Sequence, residues 1–259
     1  MRELGSKAIL VAATLFAAFV TSQARAGVEI TQQTTVPDAK GGTKTTAHTT
    51  LIEGHHLKTI TPEGTTIIDL DKGTMVALDE RTKTATEMPI QNLGGPMGNS
   101  FLGEFKPTGK KKKVGEFACE EYTHDFTTTG SEVSSVSCIA KNAPGAAEAS
   151  EFYRKMSEKM TGKKPSGSMP QGISVSDEAT IKINALTIPG MPPEMAKKIA
   201  EAQAKQVPRT TKSEVTSIKT MSIAPAEFTV PEGYSVRKID PSAAGRSAAA
   251  KPPAAPAKK

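Results

Sequence analysis

Through the first half of the chain, apolar and polar positions alternate in short runs, and turn residues interrupt them at regular intervals. After Gly54 this pattern predicts strands over 55–61, 65–69, 74–79 and 82–88, closed by Pro62-Glu63-Gly64, Asp71-Lys72-Gly73, Asp79-Glu80-Arg81 and Pro89. Threonine is abundant at 34–35, 43–50 and 82–86, which suits extended backbone with one wet face. Turn signals this closely spaced predict an antiparallel meander, and no strand here alternates with a long helical pattern, which excludes a parallel βαβ sheet. Residues 92–109 break the rhythm with Gly94, Gly95, Pro96, Gly98, Gly103 and Gly109 and read as a loop.

The second half changes period. Ala149, Phe152, Tyr153, Met156 and Met160 recur at helical spacing, so a helix is expected over 146–160, ended by Gly162. A second helix is expected over 192–206, opened by Pro192-Pro193 and stopped by Pro208, with Met191, Met195, Ile199 and Ala202 on one face. A Gly/Ser/Pro-rich loop and a strand over 179–188 lie between them, and 210–223 returns to strand chemistry. The fold class expected is mainly β with α (α+β).

The N-terminus carries a different message. Arg2 and Lys7 precede an apolar run over 8–20, and Ala24-Arg25-Ala26 has the small-x-small form that signal peptidase accepts. About 20 residues are needed to span a bilayer, so a cleavable signal peptide over 1–26 is favoured over an uncleaved anchor. Cleavage between Ala26 and Gly27 would leave a soluble mature chain in the periplasm or medium. Gly27 is not a cysteine, so the usual N-terminal lipid attachment is not available. Residues 27–240 are expected to form a single domain. Residues 241–259, made of Ala, Pro and Lys with Ser, Gly and Arg but no large apolar side chain, are expected to be a disordered tail.

Charge narrows the partners. The net charge of +6 resides in residues 1–26 and in the tail, and removing both leaves a neutral body. A neutral body has no field to steer it toward phosphates, so nucleic acid is not expected as a partner. The basic run Lys110 to Lys113 reads as a solvated strand edge or loop rather than a binding patch.

Candidate chemistry is sparse. Cys119 and Cys138 are the only cysteines, and an even count in an exported chain implies a disulfide. If residues 127–130 form a hairpin turn, the two cysteines stand directly opposite, with Phe117 near Ala140, Glu121 near Val136 and His124 near Val133. His48, His55, His56 and His124 lack metal-ligand spacing, and His55 and His56, adjacent on a strand, would point to opposite faces. Asp69, Asp71, Asp79 and Glu80 sit at turn ends, where carboxylates cap backbone amides. No nucleophile elbow, phosphate loop or cofactor motif is present, so no cofactor, no metal and no enzymatic activity are expected. Five of the ten methionines fall between Met156 and Met195. Flexible thioethers suit either ordinary gap filling or an adaptable apolar binding surface.

The strand runs 56–60, 66–69, 76–79 and 84–88 form a recurrent pattern, joined by 114–122 with the later Cys138, and by 213–219 leading to 228–234. Together, over most of residues 28–238, they resemble the bacterial secreted domain-of-unknown-function family 4412, which is similar in turn to periplasmic lipoprotein carriers such as LolA and LppX. The resemblance implies an incomplete antiparallel β-barrel whose concave face, covered by helices, holds acyl chains. The helix expected over 192–206 and the tail depart from it. On this reading Phe152, Met156, Met160, Met195 and Ile199 would face a lipid, lipoprotein or other apolar ligand, and the chain could make peripheral contact with the cell envelope. The competing expectation is a structural or protein-interaction module of the envelope with a filled core.

Overall fold

The computed structural model describes residues 26–38, 41–92, 104–128, 131–162, 169–183, 194 and 209–239. Twelve strands form one sheet: β1 (Gly27–Pro37), β2 (Thr43–Glu53), β3 (His56–Thr61), β4 (Gly64–Asp69), β5 (Thr74–Asp79), β6 (Thr84–Pro89), β7 (Phe105–Val114), β8 (Phe117–Thr128), β9 (Ser131–Ala140), β10 (Ile173–Ile183), β11 (Arg209–Met221) and β12 (Ser235–Lys238). Their order is β12-β6-β5-β4-β3-β2-β1-β11-β10-β9-β8-β7. All neighbours are antiparallel except β12, which runs parallel to β6. Among the described residues β7 and β12 remain edges, so the sheet is open rather than closed into a barrel.

The meander β3–β6 follows the turn chemistry. Asp79 Oδ1 accepts the amides of Arg81 and Thr82 at 2.9 and 3.0 Å, and Asp69 Oδ1 accepts that of Lys72 at 2.9 Å. These carboxylate caps fix the β4–β5 and β5–β6 reversals, while at the β3–β4 reversal Thr61 Oγ1 accepts the Glu63 amide at 3.2 Å.

The α-helix α1 (Ala146–Thr161) packs on β1, β2 and β10. Gly145 precedes it with φ 72°, and a Cβ there would fall 2.6 Å from the Val28 side chain, so only glycine allows this entry. Gly162 ends the helix in the same left-handed conformation, its amide returning to Glu158 O at 2.8 Å. Among the described residues no helix is long and apolar enough to cross a membrane.

Alternation along the strands gives the sheet two apolar faces. Val28, Ile30, Ile52, Leu57, Val175 and Val215 share one core cluster with Ala149 and Phe152 of α1. Leu51, Ile67, Leu78 and Ala85 point the other way and are covered by Ile223 and Phe228 from the segment after β11, with Val230 and Tyr234 packed alongside.

Three details depart from the sequence reading. The 92–109 loop is shorter than expected, because β7 begins at Phe105. Pro107 and Gly109 are absorbed by a register shift between Pro107 and Lys111 on an edge strand, where a missing amide is tolerated. Strand β10 begins at Ile173, not 179. The β8–β9 hairpin closes by pairing Thr128 with Ser131, one position later than the polar stretch suggested. Glu121 therefore faces Cys138 and His124 faces Ser135, rather than Val136 and Val133.

Candidate functional site

The slip in the hairpin reshapes the cysteine geometry without preventing the bond. Cys119 and Cys138 are diagonal neighbours on one face, their α-carbons 5.4 Å apart, and they are joined by a disulfide. Both are buried in the same cluster as Phe117 and Ala140. Beside them on β8, Glu121 is 4% exposed and lies against the basic run of edge strand β7. Lys112 bonds its carboxylate, Lys110 Nζ lies 3.3 Å away, and Thr108 Oγ1 donates at 3.0 Å. The Lys112 bond, opposed by burial and aided by Thr108 and Lys110, holds Glu121 down at about 2.

The sheet face that carries α1 holds a cleft of about 1010 Å³. Its floor comes from alternate residues of neighbouring strands: Val133, Ser135, Ser137 and Ile139 on β9, Val175, Asp177 and Ala179 on β10, and Ser213 and Val215 on β11. One wall is aromatic. Phe105 stacks on His124 with ring centres 4.1 Å apart, and Phe126 leans on His124 at 5.1 Å. The opposite wall is the flank of α1, contributed by Ser150, Glu151, Tyr153, Arg154 and Glu158. Burial pushes the Tyr153 hydroxyl above its ordinary pKa.

Three bonds fix α1 over this floor. Glu148 Oε1 accepts the Gly54 amide at 2.5 Å, Ser150 Oγ accepts the Gly172 amide at 2.8 Å, and Lys155 Nζ lies 2.7 Å from His55 Nε2. An ammonium only donates, so His55 accepts at Nε2 and donates from Nδ1 to Asp71 Oδ1 at 2.5 Å. Across the sheet, His56 lies against Phe228, with ring centres 5.5 Å apart. The two histidines therefore do face apart.

The side chains expected to meet a ligand are distributed differently. Phe152 is fully buried in the core, and Met156 and Met160 pack against that core; none of the three lines the cleft. The lining belongs to the adjoining stripe of the same helix, which is polar apart from Tyr153 and small alanines. Met195 and Ile199 lie outside the described residues, as do the rest of the expected 192–206 helix apart from Glu194, residues 1–25 of the expected leader and the 241–259 tail. Ala26 is exposed, whereas Gly27 is buried at the start of β1, where a Cβ would fall 2.7 Å from Ile223 Cδ1.

His56, Asp69 and Asp71 bring ligand atoms within 4.8 Å of one another. Asp69 Oδ2 lies 2.8 Å from Lys72 Nζ and Asp71 bonds His55, so both carboxylates already serve the turn. Asp177, on the cleft floor, was outside the expected strand. The alternation Ile173, Val175, Asp177 was the signal that could have placed it there.

No protein-family model matches the chain, and no curated protein matches it. Among solved structures, PNGF-II is similar at 12% identity and a TM-score of 0.36, over 85% of this chain and 32% of that one. The chain thus spans about a third of the length of that structure's chain. A LolA superfamily protein from Nitrosomonas europaea is similar at 6% identity and a TM-score of 0.33, over 79% of this chain and 90% of that one. A DUF1329 family protein from Desulfovibrio piger is similar at 6% identity and a TM-score of 0.34, over 80% and 91%. No residue role is carried over from these structures.

Proposed function

We propose that this chain is an exported, non-catalytic binding protein that holds a lipid, lipoprotein or other apolar ligand in the cleft beside α1. The observation that carries the reading is the cleft itself. Its volume of about 1010 Å³ sits at the upper end of ordinary small-molecule sites. Its floor offers Ile30, Val133, Val175 and Val215 beneath an aromatic wall, where burial of a hydrocarbon chain needs no covalent chemistry. An envelope module with a filled core would have no use for such a space. The Cys119–Cys138 disulfide and the leader-like N-terminus support work in the periplasm or outside the cell, with residues 27–240 acting as one unit.

Native mass spectrometry of the protein recovered from the exported fraction, paired with an organic extract, tests this. A bound species that dissociates on denaturation and appears in the extract is expected. A mass equal to the bare chain, together with no uptake of an uncharged apolar fluorophore, would overturn the reading in favour of the envelope module.

A further inference from the structure

The sheet register places one carboxylate among hydroxyls in the cleft floor. Asp177 pairs with Ser137 on β9 and with Ser213 on β11, so the three side chains leave the same face. Ser137 Oγ donates to Asp177 Oδ2. Ser213 Oγ is engaged by Thr34 Oγ1 at 2.8 Å. Along β10, Val175 and Ala179 flank Asp177 on that face, and both also line the cleft.

The cations lining the walls are already paired with carboxylates, and Glu214 of β11 adds a second carboxylate to the lining. Arg154 reaches Glu158 at 2.5 Å and Glu151 at 2.7 Å, and Lys141 reaches Glu120 at 2.6 Å. Asp177 is half-buried and, among the described residues, has no cation beside it. A carboxylate in this position makes the floor attractive to positive charge and hostile to negative charge, and partial burial strengthens both effects.

We propose that the cleft selects amphiphiles bearing an ammonium group, such as an amine-bearing lipid, with Asp177 taking the headgroup charge while Val133, Val175 and Val215 receive the chain. The inference rests on the cleft-binding reading and adds the sign of the ligand to it. An anionic amphiphile would meet Asp177 with no free cation on the floor to oppose the repulsion.

The test displaces the uncharged fluorophore N-phenyl-1-naphthylamine with dodecylammonium, dodecanoate or dodecyl maltoside, each below its micelle-forming concentration. The ammonium compound should bind about tenfold more tightly than the maltoside, the worth of one charged hydrogen bond, and dodecanoate should bind more weakly than either. Asp177→Asn should bring the ammonium compound to within about twofold of the maltoside. Asp177→Ser provides a second variant, and circular dichroism reports folding for both. The parent's ranking alone decides the ligand class. Equal binding of all three, preference for dodecanoate, or an undiminished ammonium preference in a folded variant overturns the assignment of charge. Those outcomes leave the cleft-binding reading standing, because the maltoside still competes. Failure of the fluorophore and all three amphiphiles to bind the folded parent overturns both.

Discussion

Glu148, in the first turn of α1, takes the backbone amide of Gly54 through Oε1 at 2.5 Å. Seven residues further along the helix, Lys155 reaches His55 in the same β2–β3 turn. The helix is therefore held at two heights by one reversal of the chain. Glu148→Ala leaves the Gly54 amide unpaired and removes a negative charge from the helix start. It should lower stability by about 1–2 kcal/mol, with Glu148→Gln recovering part of the loss. Urea unfolding followed by circular dichroism measures both, and an unchanged midpoint in the alanine variant would count against the tether.

Glu121 gives the fold a specific acid sensitivity. Its folded value, about 2, lies below the ordinary 4.5, chiefly through the Lys112 bond. A depressed carboxylate contributes stability that is complete above its unfolded value and declines as pH falls from about 4.5 toward about 2. Glu121→Gln should flatten the curve of urea midpoint against pH across that window. A variant curve parallel to the parent's would show that Glu121 is not a source of the slope.

The disulfide closes a chain segment with a sequence separation of 19. Replacing Cys119 and Cys138 together by Ala should cost about 2–4 kcal/mol. Thiol labelling of the parent under denaturing, non-reducing conditions should find no free sulfhydryl. Detection of two labelled thiols in protein isolated without reductant would contradict the bond.

Val133 offers a way to probe the cleft without disturbing the core, because it is half-buried and lines the floor beside Phe126. Val133→Asp puts charge on an apolar surface and should reduce uptake of N-phenyl-1-naphthylamine by about tenfold or more, while the far-ultraviolet dichroism stays unchanged. Met156→Asp, placed against the core, should instead unfold or loosen the protein. Equal fluorophore uptake by the parent and a folded Val133→Asp variant would place binding elsewhere.

The meander was legible because its punctuation is local. Pro62-Glu63-Gly64 and Asp71-Lys72-Gly73 bracket β4 in sequence as they do in space, and Gly162 ends α1 for the reason its residue type suggests. His55 and His56 do contact opposite sides, but His55 lies in the turn before β3 begins, so strand alternation is not what separates them. The disulfide was legible as a pair but not in its register, since a two-position offset depends on where Thr128 and Ser131 close the hairpin. The cleft was not legible. Its floor joins residues of β9, β10 and β11 with Ile30 of β1, strands whose neighbours are set by distant pairings, and helical periodicity distinguishes the buried stripe of α1 from its flank without saying which borders empty space. Phe152 and Met156 satisfy the same apolar spacing whether they meet a ligand or a core.

The position of β1 has a consequence in time. Its partners are β2, which follows at once, and β11, near the far end of the chain; Thr34 and Ser213, bonded to each other, are 179 residues apart. The meander from β2 to β6 needs only nearby pairings and can form early, as local contacts do. The two halves of the sheet, however, join only through the β1–β11 seam, and that seam cannot close until the last third of the polypeptide has been delivered. Until then β1 presents an unpaired strand edge, which is the kind of surface that invites aggregation. A chain threaded N-terminus first across a membrane would spend that interval with its central strand waiting, so maturation of this fold is governed by the arrival of β11 rather than by the formation of its parts.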